Sequence, residues 1–484
     1  MTENTVNISD QNTLNDSTPK TPGRMDGWYV CPRCGTTYDE LHHFCTRCNY
    51  YTPSWWYATD FSGKRRRWKL KLTIVLILLS FAGYMVYKTR VYIPNPFILA
   101  RNPVSNISSV SGPEEWTMYA GDAGHTRFVP GATPPEGRIR WSLPLGELTD
   151  SAPVVKDGVL YIGGYFKIHA LEANTGKTIW ETETTGPVHS SPALAGNLLF
   201  LGLLDGRVLA LESKTGALKW EHQTENFVFS SPTVVDGVLY IGSGDESIYA
   251  FDAETGKVIW RTETGGRVQF APAVVDKVVY APTSHQNLYC AYTNSGALKL
   301  RFRMYRDIQD SPAVANGLVY FISRDGSLYS MYQGAREYPG QYKMLWMWAQ
   351  FWLWKLPVPP PPPQPGAAWR ARAKNRWIGF TASPAVAPDA LYLGDRAGWF
   401  YSRDPKTGKP IWDFKAKLRI SASPLILGDQ VFFGSEDGFL YALNRQDGKL
   451  LWKLDLEVPI KVSPVYANGL IYLRAEDGNL YAIE

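Results

Sequence analysis

The 484-residue sequence predicts an all-β fold, an eight-bladed β-propeller with four-stranded blades, preceded by one membrane-crossing helix and a small metal-held module. Three observations predict it: a unit of about 40 residues recurring over 138–484, an apolar run ahead of it, and two Cys-x-x-Cys pairs ahead of the run. The composition agrees. It is 45% hydrophobic and 20% charged, with 42 Gly, 34 Pro and 18 Trp, which excludes a disordered or coiled-coil chain. The formal charge is +5, but Lys64, Arg65, Arg66, Arg67, Lys69 and Lys71 sit together with no acid among them. Without those six the chain has 44 basic against 45 acidic residues, so no broad basic surface for nucleic acid remains.

Residues 1–26 are rich in Asn, Thr, Asp and Ser and read as a solvated tail. No apolar segment follows a basic start there, as a secretory signal peptide would require. Over 27–52 come Cys31-Pro-Arg-Cys34-Gly35 and Cys45-Thr-Arg-Cys48-Asn49. Four thiolates at this spacing suit one tetrahedral Zn²⁺, which would replace the core that so short a segment cannot build. Gly35 and Asn49 follow the second cysteine of each pair, where a turn with positive φ is expected. No thioredoxin-like βαβ pattern surrounds the pairs, so redox chemistry is the weaker reading. His42 and His43 read as surface residues, and the segment resembles the minimal zinc-ribbon family.

A basic juxtamembrane stretch, 53–69, leads into 70–88, where LKLTIVLILLSFAGYMVY is apolar except for Lys71. That length crosses a hydrocarbon core of about 30 Å if Lys71 snorkels. Six basic residues precede the span, while Lys88 and Arg90 follow closely. The positive-inside rule therefore predicts a single-pass protein of the cell (inner) membrane, with a cytoplasmic N-terminus and an extracytoplasmic propeller. The cysteines then face a reducing compartment, as a thiolate site requires.

Residues 89–137 read as linker and lead-in, and 138–484 as the propeller. Its anchors are Pro153, Pro192, Pro232, Pro272, Pro312, Pro384, Pro424 and Pro464, each after Ser or Ala, with steps of 39, 40, 40, 40, 72, 40 and 40. One unit, residues 231–260, shows four short strands separated by turns such as Asp236-Gly237 and Thr255-Gly256. Four strands per repeat make a propeller blade. A second column holds Trp141, Trp180, Trp220, Trp260, Leu300, Trp346, Trp412 and Trp452. Because Trp141 precedes the first anchor and the chain stops after a third strand, the strand at 138–145 should close the blade at 463–484. That staple removes free sheet edges.

Units of the form DGxLYAxDxxTGKxxW resemble the pyrroloquinoline-quinone-type propeller repeat. It builds quinoprotein alcohol dehydrogenases and the non-enzymatic outer-membrane assembly factors of BamB type. Residues 116–128 (WTMYAGDAGHTRF) resemble the lead-in of both groups. For the enzymes, the resemblance implies a vicinal Cys-Cys disulfide, a catalytic Asp and Ca²⁺ ligands. Cys290 is the one propeller cysteine, in a column of Ala and Ser, so it reads as a packing residue. Asp205, Asp245, Glu246, Asp325, Glu436, Asp437, Glu476 and Asp477 follow the repeat and read as turn residues. Arg301, Arg303 and Arg306 beside Leu300 read as a partner-facing or, by preference, a solvated face. His125 and His189 have no partner that the sequence identifies.

Blade five breaks the pattern with an insertion over 347–377. Trp346, Trp348, Trp352 and Trp354 recur at mainly two-residue spacing, which predicts an extended hairpin or lengthened outer strand. With Phe351, Arg370, Arg372 and Arg376 they are the candidate interaction residues, for a membrane interface or a protein subunit. Three functions stay open. The first is a non-catalytic envelope scaffold of BamB type that binds other membrane-complex proteins. The second is a membrane-bound quinoprotein dehydrogenase holding PQQ and Ca²⁺, against which the missing cysteine pair counts. The third is a transmembrane ligand sensor.

Overall fold

The computed structural model describes residues 24–484 except 26–27, 32, 40–44, 49–61, 96–97, 99–100, 108, 110–111, 113, 148, 305 and 375–378. The expectations placed on residues 1–23, His42, His43, Asn49 and Arg376 lie outside the described residues. Two compact units emerge, residues 1–88 and 89–484.

The first unit holds a three-stranded antiparallel sheet, Arg24–Met25, Trp28–Val30 and Thr37–Asp39, and the helix α1, Ser62–Thr89. Its apolar side chains from Leu70 to Tyr87 are exposed. Among the described residues this is the one helix long and apolar enough to cross a membrane, by length and composition.

The second unit is an eight-bladed propeller of antiparallel, four-stranded blades. Blade one runs Val154–Lys156, Val159–Gly163, Lys167–Glu172 and Thr178–Glu183, and the same order recurs in each blade. The ring closes as the sequence predicts. Ile139–Pro144 is the outer strand of the last blade, with Trp141 opposite Ala482 and Ser142 opposite Tyr481.

Two sets of contacts join blade to blade. At the rim, Trp141, Trp180, Trp220, Trp260, Trp369, Trp412 and Trp452 each cover a glycine of the next blade or the closing segment. A Cβ on those glycines would lie 2.5–2.8 Å from the nearest indole carbon. Six of these indoles also donate Nε1–H to a neighbouring carbonyl, such as Trp220 to Ala253 at 2.9 Å. Near the axis, the serine before the anchor proline accepts from the previous blade's N–H, as Ala152 N–H to Ser191 Oγ and Ser191 N–H to Ser231 Oγ, both 2.9 Å. That role explains the serine of the Ser-Pro step.

The lead-in segment does more than enter the fold. Val155 and Trp116 exchange backbone hydrogen bonds, and Thr117, Ala123, Gly124, Thr126 and Arg127 accept from Leu194, Val274, Val314, Val386 and Ile426. Each donor sits on the innermost strand of a different blade, so residues 116–127 wind round the axis. Phe128–Val129 then adds a parallel strand to Leu425–Leu427.

Blade five corrects the sequence reading. Its outer strand is Ala367–Arg372, and Trp369, opposite Ser330, fills the column assigned above to Trp346. The Lys-x-x-Trp spacing at 343–346 matched the repeat by coincidence. Trp346 lies instead in helix α2, Gln341–Leu353, where a hairpin or lengthened strand was expected. The extra chain therefore lies between Tyr332 and Ala367, inside the blade, and not after its outer strand.

Candidate functional site

The strongest chemical constellation is in the first unit. The Sγ atoms of Cys31, Cys34, Cys45 and Cys48 all lie within 4.8 Å of one another, with Cys31–Cys48 at 3.5 Å and Cys34–Cys45 at 3.6 Å. Tetrahedral ligands at about 2.3 Å from Zn²⁺ stand about 3.8 Å apart, so the four sulfurs fit zinc. The knuckle backbone is set by Cys31 N–H to Thr36 O and Gly35 N–H to Cys31 O, both 2.8 Å, with Gly35 at φ 72° as expected. The Thr36 hydroxyl and amide stabilise the Cys34 thiolate and hold its pKa at about 6.

At the propeller axis a cavity of about 330 Å³ is lined by Tyr119, Asp150, His189, Phe229, Asp310 and Lys461 among others. Its acids are engaged. Asp310 accepts from Ser311 N–H and Ser383 N–H, both at 2.8 Å, and from Tyr119 O–H at 3.3 Å. Asp150 meets His189 Nδ1 at 3.2 Å, and the His189 ring stacks on Phe229. His125 is wholly buried, with Nδ1 3.0 Å from Pro312 O, and burial pushes its pKa down to about 3. The turn acids hold turns, as expected. Asp205, Asp245, Asp325, Asp437 and Asp477 each accept from the N–H two residues on.

Beside the axis lies a basic depression of about 280 Å³ that sequence reasoning missed. Arg267, Arg324, Arg396 and Arg419 come to it from different turns, with Asp307 the one acid in the lining. Arg419 meets Glu436 at 3.5 Å. The available signal was positional: Arg267 and Arg419 share one repeat position, five residues before the anchor proline, and Arg324 and Arg396 share another, twelve residues after it.

The candidate interaction residues separate into two groups. Trp346, Trp348, Phe351, Trp352 and Trp354 are all exposed on or just after α2, Trp354 at 67%. Arg370 instead serves its own blade, pairing with Asp325 at 2.6 Å and lying over Tyr329, while Arg372 is exposed. Blade four's arginines divide: Arg303 and Arg306 are exposed, in keeping with a solvated face, while Arg301 is engaged within the fold. Arg301 pairs with Glu337 at 2.7 Å, and Arg303 lies 4.0 Å over the Tyr342 ring.

The sequence matches the family of outer membrane protein assembly factor BamB over residues 128–244, 226–289, 244–336 and 354–484. The chain belongs to the BamB-type propeller family. Its fold is similar to that of BamB from Moraxella catarrhalis, at 16% identity and TM-score 0.54, covering 71% of this chain and 96% of that one. It is also similar to a europium-containing methanol dehydrogenase, at 15% identity and TM-score 0.60, covering 75% and 90%. The quinohemoprotein alcohol dehydrogenase of Comamonas testosteroni gives 16% and 0.60, covering 83% of each. Quinoprotein alcohol dehydrogenase PedH of Pseudomonas putida is 36% identical over 67 residues, 12% of this chain and 11% of that relative's own length. At such identities the structural likeness concerns the fold.

This BamB-type propeller lacks the adjacent cysteine pair that the resemblance implies for the quinoprotein enzymes. Cys290 is single and buried, and burial raises its thiol pKa, so no disulfide platform exists. Among the described residues, the four cysteines are the one convergent group of three or more His, Cys, Asp or Glu ligands.

Proposed function

We propose that the protein is a single-pass membrane protein whose extracytoplasmic propeller is a non-catalytic docking scaffold for other envelope proteins. α1 is its anchor in the inner membrane, and the cytoplasmic four-cysteine module binds structural Zn²⁺. The observation that carries this reading is the axis, where Asp310 accepts hydrogen bonds from Tyr119, Ser311 and Ser383 and where, among the described residues, no group of three or more His, Cys, Asp or Glu ligands converges. The basic depression supplies a complementary docking feature, since four arginines around one acid favour an acidic segment of a partner. Arg372, exposed on the outer strand of blade five, extends the interaction surface, and the aromatic residues of α2 form a separate exposed surface.

Two measurements test the reading. The full chain, purified in detergent and given PQQ and Ca²⁺, should show no quinone absorbance band and no dye-linked alcohol oxidation. Turnover would transfer it to the quinoprotein dehydrogenases. Arg267→Glu with Arg324→Glu should abolish crosslinks to partners that the wild-type chain forms. Unchanged crosslinks would remove the depression from the docking surface.

A further inference from the structure

The insertion in blade five has two ends with different jobs. Its first part, 333–340, is fastened to blade four. Glu337, with a side chain 1% exposed, accepts from Arg301 N–H at 2.8 Å and from Arg301 Nη2 at 2.7 Å. Tyr342 donates its hydroxyl to Arg301 O, and Gln364 brackets Arg303, donating to its carbonyl at 2.9 Å and accepting from its N–H at 3.2 Å. The outer edge of blade four is thereby covered by side chains. Its second part, α2, is the opposite. No residue of it is buried, although it is one of the most apolar stretches of the chain. Leaving that much aromatic surface in water is unfavourable by about 25 cal/mol per Å², which favours an occupant for the helix.

A third residue meets the same fastening point. Tyr92 donates its hydroxyl to Glu337, and Arg301 Nη2 donates to Tyr92 at 3.0 Å. Tyr92 stands four residues after Lys88, where the apolar span ends, a reach of at most about 14 Å. Gln341, the first residue of α2, stands four residues after Glu337. The chain's exit from the span and the start of the aromatic helix are thus tied to one buried carboxylate. The chemistry of α2 suits the same place. Residues 341–355 contain four Trp, no acid, and Lys343 and Lys355, the composition of an interfacial helix over anionic headgroups. Trp348 donates Nε1–H to Pro359 O at 2.8 Å, so the proline run folds back beside the helix.

We propose that α2 lies in the headgroup layer of the membrane crossed by α1, and that the Tyr92–Arg301–Glu337 cluster holds it there. The propeller is then attached at two points, the span and an in-plane helix. This inference rests on reading α1 as a membrane anchor.

The test uses the full chain in phosphatidylethanolamine–phosphatidylglycerol vesicles whose acyl chains carry bromine, a short-range quencher of tryptophan emission. Wild type is compared with the quadruple variant Trp346→Phe, Trp348→Phe, Trp352→Phe, Trp354→Phe, which keeps the helix apolar. Bromine-quenchable emission should fall about twofold in the variant, because interfacial indoles lie within reach of the chains. Carbonate-resistant flotation should be the same for both. Equal quenching with intact flotation overturns the inference and assigns α2 to a protein partner or a second copy, while leaving the anchor in place. Release of the chain by carbonate overturns the anchor reading and this inference together.

Discussion

Seven junctions between blades use one device, and the junction between blades four and five uses another. At the seven, an indole covers a glycine, as Trp220 covers Gly256. At blade four the column residue is Leu300, wholly buried but without a polar atom to donate. The missing indole hydrogen bond is replaced by Lys299, whose Nζ donates to Gln333 O at 2.7 Å. Burial lowers the pKa of that ammonium. By register, Pro365 takes the place of the platform glycine, because Gly366 O accepts from Tyr332 N–H as Lys257 O accepts from Asp252 N–H. The regular junction is thus made by one aromatic contact repeated. The irregular one is made by an ion pair, a buried lysine and an inserted segment. A repeat can lose its own docking residue where an insertion supplies the contacts, and that insertion is then free to carry a surface the repeat does not need.

The two designs respond differently to mutation. Trp220→Ala removes ring packing and the bond to Ala253, and should destabilise the propeller by about 4 kcal/mol in chemical denaturation of the detergent-solubilised chain. A loss below 1 kcal/mol would mean the indole column is ornamental. Glu337→Ala leaves Arg301 without its partner, and should cost about 3 kcal/mol, the low end for a broken buried pair because Arg301 keeps 31% exposure. An unchanged midpoint would show that the irregular junction does not depend on its ion pair. Gly256→Ala tests the platform itself. With φ at +71° and a Cβ 2.6 Å from Trp220, alanine should destabilise by about 2 kcal/mol. Equal stability would mean the stack yields without cost.

The regular design was legible in the sequence because it repeats. Eight prolines and the tryptophan column mark blade number and closure, and the structure keeps Trp141 opposite Ala482. The irregular design was not legible for the same reason. Trp369 lies 15 residues before Pro384 where the other column tryptophans lie 12 before theirs, so Trp346, with a Lys three residues before it, attracted the assignment. The alternating tryptophans mimicked a strand, but no neighbouring strand was there to pair with them, and Leu, Met and Gln favour the helix. The four-cysteine site was legible because metal ligation needs fixed spacing. The arginine depression was not, because its residues converge from separate turns of the ring.

The smallest effect should come from restoring the column, and its sign separates two accounts of the irregular junction. If Leu300 is a decayed tryptophan, Leu300→Trp should stabilise the propeller. The structure argues for the reverse. Leu300 is wholly buried with Phe302 and Met331, and Ala335 and Ala367 pack against that cluster. Gly366 has so little room that a Cβ there would meet Ala335 at 2.5 Å and Leu300 at 3.5 Å. A proline stands where the flat face of a glycine would receive the indole, so the larger ring has no platform and its N–H no open carbonyl. Overpacking of this kind costs about 1.5 kcal/mol. Destabilisation by that amount in chemical denaturation means the insertion and Leu300 are fitted to each other. A rise in stability means the insertion was added to a junction that still has the shape of the other seven.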